Sequence, residues 1–152
     1  MLHSIQTTQL IKSDIKTVWD FMSSPKNLAV ITPEYMQFEI LSDLGDGKMY
    51  QGQIIEYYVR PVLNIKLHRV TEITHVKEND FFVDEQRFGP YTFWHHKHSF
   101  KETAQGVEMS DSIHYKLPLG ILGKIGNELL VKKQLKEVFD HRFKVVEKIF
   151  NS

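Results

Sequence analysis

Residues 128–150, ELLVKKQLKEVFDHRFKVVEKIF, decide the fold, because they form the one long segment whose apolar residues recur at helical spacing. At about 100° per residue, Val131, Leu135, Val138, Phe139, Val145, Val146 and Ile149 fall within an arc of roughly 120°, enough for one buried face. Lys132, Lys133, Lys136, Glu137, Asp140, Lys144, Glu147 and Lys148 take the remainder. Burying those apolar side chains contributes on the order of 10–20 kcal/mol gross, and ordering the segment costs a comparable or larger backbone entropy. The helix therefore needs a broad apolar partner. Arg142 breaks the pattern near the middle of the arc, where an unpaired guanidinium costs several kcal/mol.

The partner lies upstream. Residues 2–11 have the β-branched content of a strand, and Ser13 offers an N-cap to a helix whose face carries Ile15, Val18, Trp19 and Met22. Ser23-Ser24-Pro25 breaks that helix, and a second short one is expected over 25–31, ended by Thr32-Pro33. From Gln37 the pattern turns to strands near 37–43, 48–58, 62–76, 80–87, 91–103 and 107–116, punctuated by turn pairs such as Asp46-Gly47, Glu78-Asn79, Gly89-Pro90 and Gln105-Gly106. A meander of antiparallel strands with its helices segregated is α+β, with the long last helix filling a curved sheet. At 152 residues, a single domain spanning 1–152 accounts for the chain.

Parity orients the last three strands, since even-numbered hairpin loops set residues of fixed index sum opposite each other. With Ala104-Gln105 as a loop, Phe100 opposes Met109, His98 opposes Asp111, His96 opposes Ile113 and Trp94 opposes Tyr115. With Gly89-Pro90 in an even loop, Glu85 opposes Trp94, Val83 opposes His96 and Phe81 opposes His98. The shared face then carries Glu85, Arg87, His96, His98 and Asp111, too many ionisable groups for a dry core. Either they neutralise one another or they line a wet cavity.

The run FVDEQRFGPY at 82–91, followed by Trp94, His96, His98, Phe100, Met109, Asp111, Tyr115, Leu117-Pro118 and Gly120, with Arg142 near the end, resembles the SRPBCC proteins of the START-like, polyketide cyclase/dehydrase and lipid-transport superfamily. It looks closest to the branch loosely labelled cell-division inhibitors. The resemblance implies a helix-grip fold, in which a seven-stranded antiparallel sheet curls around the last helix and two short helices follow the first strand. It also implies a cavity for a lipid, polyketide or other apolar molecule, and it implies no particular reaction.

The chemistry these residues offer divides in two. In the first reading the chain binds or carries a small hydrophobic or amphipathic ligand, its apolar body against Trp94, Phe100, Met109, Ile113, Val138 and Phe139. The ligand's polar end meets Glu85, His96, His98, Asp111, Tyr115 or Arg142. In the second, His98 and Asp111 form an acid–base pair of a cyclase- or dehydratase-like enzyme. His96 and His98, with Asp111 or Glu85, also have the two-histidine, one-carboxylate composition of metal sites, but the histidines are explicable as pairs, and no metal or cofactor is expected. The glycines at 120, 123 and 126 lack the ending of a phosphate loop. They suit a gate over 117–126 at the cavity mouth or a plain connecting loop.

Composition narrows the partners. With 19 basic and 19 acidic residues the formal net charge is zero, so no basic field for nucleic acid exists. The longest uninterrupted apolar run, 28–31, is far short of a membrane span, and Met1-Leu2-His3 does not open a signal peptide. A cytoplasmic monomer or weak homodimer without stable membrane insertion is the expectation. The absence of cysteine excludes disulfides, thiolate metal sites and cysteine nucleophiles.

Overall fold

The computed structural model of the chain describes residues 1–61, 64–119 and 127–152. Seven strands make one antiparallel sheet: β1 His3–Ile11, β2 Glu39–Ile40, β3 Ile54–Val59, β4 Leu67–Lys77, β5 Phe81–Phe88, β6 Phe93–Thr103 and β7 Gly106–Lys116. Their order across the sheet is β1-β7-β6-β5-β4-β3-β2, so six consecutive strands meander and β1 closes on the last of them. Helix α1, Ile15–Met22, and two 3-10 turns, Pro25–Leu28 and Glu34–Met36, join β1 to β2. A π-helical turn, Asn127–Val131, leads into the long helix α2, Lys132–Phe150. This is the expected α+β arrangement, a curved sheet gripping its last helix.

Local chemistry sets the boundaries. Asp14, not Ser13, caps α1: its Oδ1 accepts from the Thr17 amide at 2.9 Å and its Oδ2 from the Thr17 hydroxyl at 2.7 Å. The strands expected over 37–43 and 48–58 are trimmed to β2 and β3 because short turns claim the backbone between them. Asp43 Oδ1 accepts from the Gly45 amide at 2.9 Å, and Asp46 Oδ1 from the Lys48 amide at 3.0 Å. The strand expected over 62–76 is β4, and residues 62 and 63 lie outside the described residues. At the β6–β7 turn, Gly106 has φ +135, and a Cβ there would lie 2.2 Å from the Ile11 carbonyl oxygen. Only glycine lets the end of β1 approach that corner.

Three apolar clusters fill the concave side. The first packs Trp19 of α1 edge-on against Phe82 and Phe100, with Met109 of β7 and Val146 of α2. The second groups Trp94, Ile113 and Tyr115 under Leu135. The third, Met36, Ile55, Tyr57, Val59 and Ile73, belongs to the β3–β4 side, with Val138 against it. Along α2, Leu135, Arg142 and Val146 are buried as the periodicity requires, whereas Ile149 near the helix end is exposed and Gln134 in the first turn is buried.

Candidate functional site

The middle of the concave face is polar. Strands β6 and β7 pair with His98 opposite Asp111, His96 opposite Ile113, Trp94 opposite Tyr115 and Phe100 opposite Met109, the register that the Ala104-Gln105 loop sets. Strand β5 differs from expectation by one residue. Phe82 opposes His98, Asp84 opposes His96, and Glu85 opposes His95 on the convex face. The index sum is even, so the connection around Gly89-Pro90 is an odd loop, and a one-residue slip exchanges the two faces of a strand. Glu85 is therefore not a site residue. It lies 3.7 Å from Arg87, which also donates from Nε to Glu72 at 2.6 Å, in a half-exposed group on the outside of the sheet. Asp84 takes its place inside, and Phe82 and Asp84 were the residues an odd loop would have selected.

Asp84, His96, His98, Asp111 and Arg142 form one bonded group. His98 lies between two carboxylates, with Nε2 2.7 Å from Asp84 Oδ2 and Nδ1 3.1 Å from Asp111 Oδ1. His96 Nε2 is 2.8 Å from the same Asp111 oxygen, and its Nδ1 is 3.5 Å from Asp84 Oδ2. Arg142 Nη1 donates to Asp111 Oδ1 at 3.5 Å, the Thr7 hydroxyl donates to Asp111 Oδ2 at 3.5 Å, and the Trp94 indole donates to Asp84 Oδ1 at 3.1 Å. The two imidazoles stack with centroids 3.6 Å apart, and Phe82 stacks on the far side of His98 at 4.1 Å.

These contacts select one set of charges. Burial pushes both carboxyls up, but more strongly opposed influences win. His96 and the bond from His98 hold Asp84 below the usual carboxylate range, and Arg142 with both imidazoles holds Asp111 well below it. Burial also opposes a charge on His98, yet bonds to Asp111 and Asp84 raise its pKa. His96 goes the other way: burial, then the neighbouring charge on His98, lowers it to about 4. The charges balance with two carboxylates, a cationic His98, a cationic Arg142 and a neutral His96 that donates from Nε2, while Arg142 Nε is buried with no partner among the described residues. Like charges on His98 Nδ1 and Arg142 Nη2, 3.5 Å apart, are held together by the Asp111 carboxylate between them.

Beside this group, toward β3 and β4, lies a cavity of about 180 Å³. Asp84, His96, His98 and Arg142 form its polar side, and Ile55, Ile73 and Val138 are among its apolar walls. Trp94 and Phe139 also reach it. Asp111 stands behind the polar side, facing a second space of about 110 Å³ shared with Thr7, Gln9 and Phe143. Phe100, Met109, Ile113 and Tyr115 share the concave face but are packed into the first two clusters, so they support the site rather than line it. The expected gate over 117–126 falls largely on residues 120–126, outside the described residues.

Besides Asp84 and the apolar residues of β3 and β4, the cavity is lined by Arg69, Tyr91 and Gln134, which the sequence reading also did not place there. Arg69 comes from β4, whose pairing with β5 shifts register between Val70 and Thr71 and again between Ile73 and His75, so alternation cannot be carried through it. Tyr91, whose hydroxyl burial pushes up to about 12, comes from the β5–β6 connection. Gln134 is polar and sits at the edge of the apolar arc.

Asp84, His96 and His98 are the group among the described residues with enough clustered donors for a metal ion, their ligand atoms lying within 4.8 Å of one another. The fit is poor. Each ring nitrogen already faces a carboxylate oxygen, and the protonated His98 that these contacts favour has no lone pair to give a metal. No helix among the described residues is long and apolar enough to cross a membrane.

No known family model matches the chain, and comparison with curated proteins gives no match either. Solved structures do match. A START superfamily protein from Mycobacterium smegmatis superposes with a TM-score of 0.70 at 17% identity, covering 98% of this chain and 97% of its own. The di-domain ARO/CYC protein BexL of the BE-7585A biosynthetic pathway gives 0.74 at 17% identity over 99% of this chain, which spans 50% of that one. Ara h 8.0201 gives 0.62 at 12% identity, with 97% and 99% covered. At such identities the likeness is one of fold, and this chain carries the helix-grip fold of START superfamily proteins, as its sequence resemblance implies.

Proposed function

We propose that the chain binds a small hydrophobic or amphipathic molecule in the cavity between its sheet and α2. The observation that carries this reading is the cavity's two-sided character: apolar walls of Ile55, Ile73 and Val138 face a polar side of Asp84, His96, His98 and Arg142. An apolar cavity of about 150 Å³ is enough to hold benzene, so a space of about 180 Å³ suits a compact molecule of roughly one substituted ring. The polar side is pre-organised, since its side chains are fixed by one another before a ligand arrives. Fixed groups cost less to order on binding. Native mass spectrometry of protein purified from its own host tests this directly. A retained small molecule supports it, and a homogeneous unliganded mass together with no uptake of apolar probes opposes it.

A second reading, a cyclase- or dehydratase-like enzyme, draws on the likeness to the ARO/CYC protein BexL. In that reading the base is not the His98–Asp111 pair, because both nitrogens of His98 face carboxylates. The ring nitrogen with the longest carboxylate contact is His96 Nδ1, 3.5 Å from Asp84, in an imidazole that burial keeps neutral. An imidazole whose pKa is lowered to about 4 is a weak general base at neutral pH. Binding is therefore the better supported function.

A further inference from the structure

Arg69 stands apart from the bonded group. It lines the cavity from β4, and its guanidinium carbon lies 5.6 Å from the Tyr57 ring centroid, 5.6 Å from that of Tyr91 and 5.1 Å from that of Trp94. Its Nε is buried and has no hydrogen-bond partner among the described residues, and no carboxylate among them reaches it within ion-pair distance. The acids nearby in the sheet are engaged elsewhere, Asp84 with His98 and Trp94, and Glu72 with Arg87. Three aromatic faces attract a cation but offer no acceptor in the plane of its N–H groups. Across the cavity, Gln134 of α2 is 8% exposed and its Nε2 is likewise buried without a partner. A half-buried cation with a buried, unmet Nε and a buried amide donor thus border one small space, whose remaining polar side, Asp84, His96, His98 and Arg142, is bonded within itself apart from the Nε of Arg142. Each unmet donor costs free energy that an acceptor on an occupant would recover.

We propose that the cavity takes a small apolar monocarboxylate, its carboxylate paired with Arg69 and accepting from Gln134, and its hydrocarbon body against Ile55, Ile73 and Val138. This rests on the binding function proposed above and adds the chemical class of ligand. A carboxylate is planar, matches the guanidinium fork and brings a single charge to a single unpaired cation. A dianionic phosphate would bring one charge too many beside Asp84. A neutral amide of the same shape would satisfy the donors but not the charge.

Isothermal titration with hydrocinnamate and with its amide, hydrocinnamamide, compares these directly, using the full chain. Wild-type protein is expected to bind the acid at least about tenfold more tightly than the amide, the size of one charge-assisted bond over a neutral one. Arg69→Met should erase that preference, lowering acid affinity by about tenfold more than it lowers amide affinity, and Arg69→Lys should keep part of it. Equal affinity of wild type for acid and amide, or an unchanged preference in folded Arg69→Met, overturns the carboxylate assignment while leaving the binding function standing. If neither compound nor an apolar fluorescent probe binds saturably, the binding function itself fails, and the assignment with it. The acid–amide comparison needs no variant, so it decides the matter even where a substitution at Arg69 does not fold.

Discussion

The concave face has two halves covered by one helix. Over β1, β7 and β6, α2 presses Leu135 and Val146 onto Ile113, Tyr115, Met109 and Phe100, and α1 adds Trp19, so the interior there is packed. Over β5, β4 and β3 the facing residues are of similar chemistry, Ile55, Ile73 and Val138, yet a cavity of about 180 Å³ remains between them. The difference is one of supply rather than of hydrophobicity. The packed half receives side chains from two helices, whereas the open half is bordered by a two-residue β2 and by turns. Asp84, His96, His98, Asp111 and Arg142 lie along the seam. A group of ionisable side chains at the edge of a cavity, bonded to one another, keeps that edge fixed and polar without leaving charges unpaired.

The sharpest way to break this comparison is to open the seam. Asp111→Ala removes the carboxylate between His98 and Arg142 and leaves a buried guanidinium beside an imidazolium. The expected loss is about 3–5 kcal/mol in urea unfolding. Glu85→Ala, on the half-exposed convex face, should cost less than about 0.5 kcal/mol. Equal effects would mean that the seam is not a buried charge network.

The two halves also differ in what a cavity-making substitution does. Phe100→Ala, in the packed half, should lower stability by about 3 kcal/mol or more and leave ligand affinity unchanged. Val138→Ala enlarges a space that already exists, so it should cost about 1 kcal/mol or less while altering affinity for apolar probes. Parallel unfolding and binding titrations separate them, and reversed effects would place the cavity in the wrong half.

A smaller effect sharpens the charge assignment. His98 has a raised pKa in the folded state, so its contribution is fully present below the ordinary histidine value and is lost as pH rises through the folded pKa. His96 has a lowered one, about 4, so the unfolded chain takes up a proton that the folded chain refuses, and stability falls as pH drops from about 6.5 toward 4. Together they predict a stability maximum near pH 6.5, with each ring contributing a slope of at most about 1.4 kcal/mol per pH unit. Asp84 and Asp111, whose pKa values are lowered, add a further loss in stronger acid, below the ordinary carboxylate range. His98→Asn should remove the alkaline slope, and His96→Asn the acid slope above pH 4. A flat profile across this range in wild type would contradict the assignment.

What the sequence disclosed followed the regularity of the backbone. The 3.6-residue period of 128–150 announced α2, and the two-residue period with a tight Ala104-Gln105 turn fixed His98 opposite Asp111. Where the period is interrupted, the reading lost its footing. The odd β5–β6 loop exchanged Glu85 for Asp84, and the irregularities in β4 hid Arg69. Which inward residues line a cavity and which are packed was also beyond periodicity. Phe100 and Trp94 alternate on the same face of β6, and only the placement of α1 and α2 over them decides that Phe100 is packed and Trp94 reaches open space.

The claim that the open half is the binding site is tested most directly by methyl-resolved NMR of the protein titrated with hydrocinnamate. Saturable shifts are predicted for the methyl groups of Ile55, Ile73 and Val138, which border the cavity, with little change at Ile113, Met109 and Val107 in the packed half. Shifts concentrated in the packed half, or spread evenly over both without saturation, would contradict it.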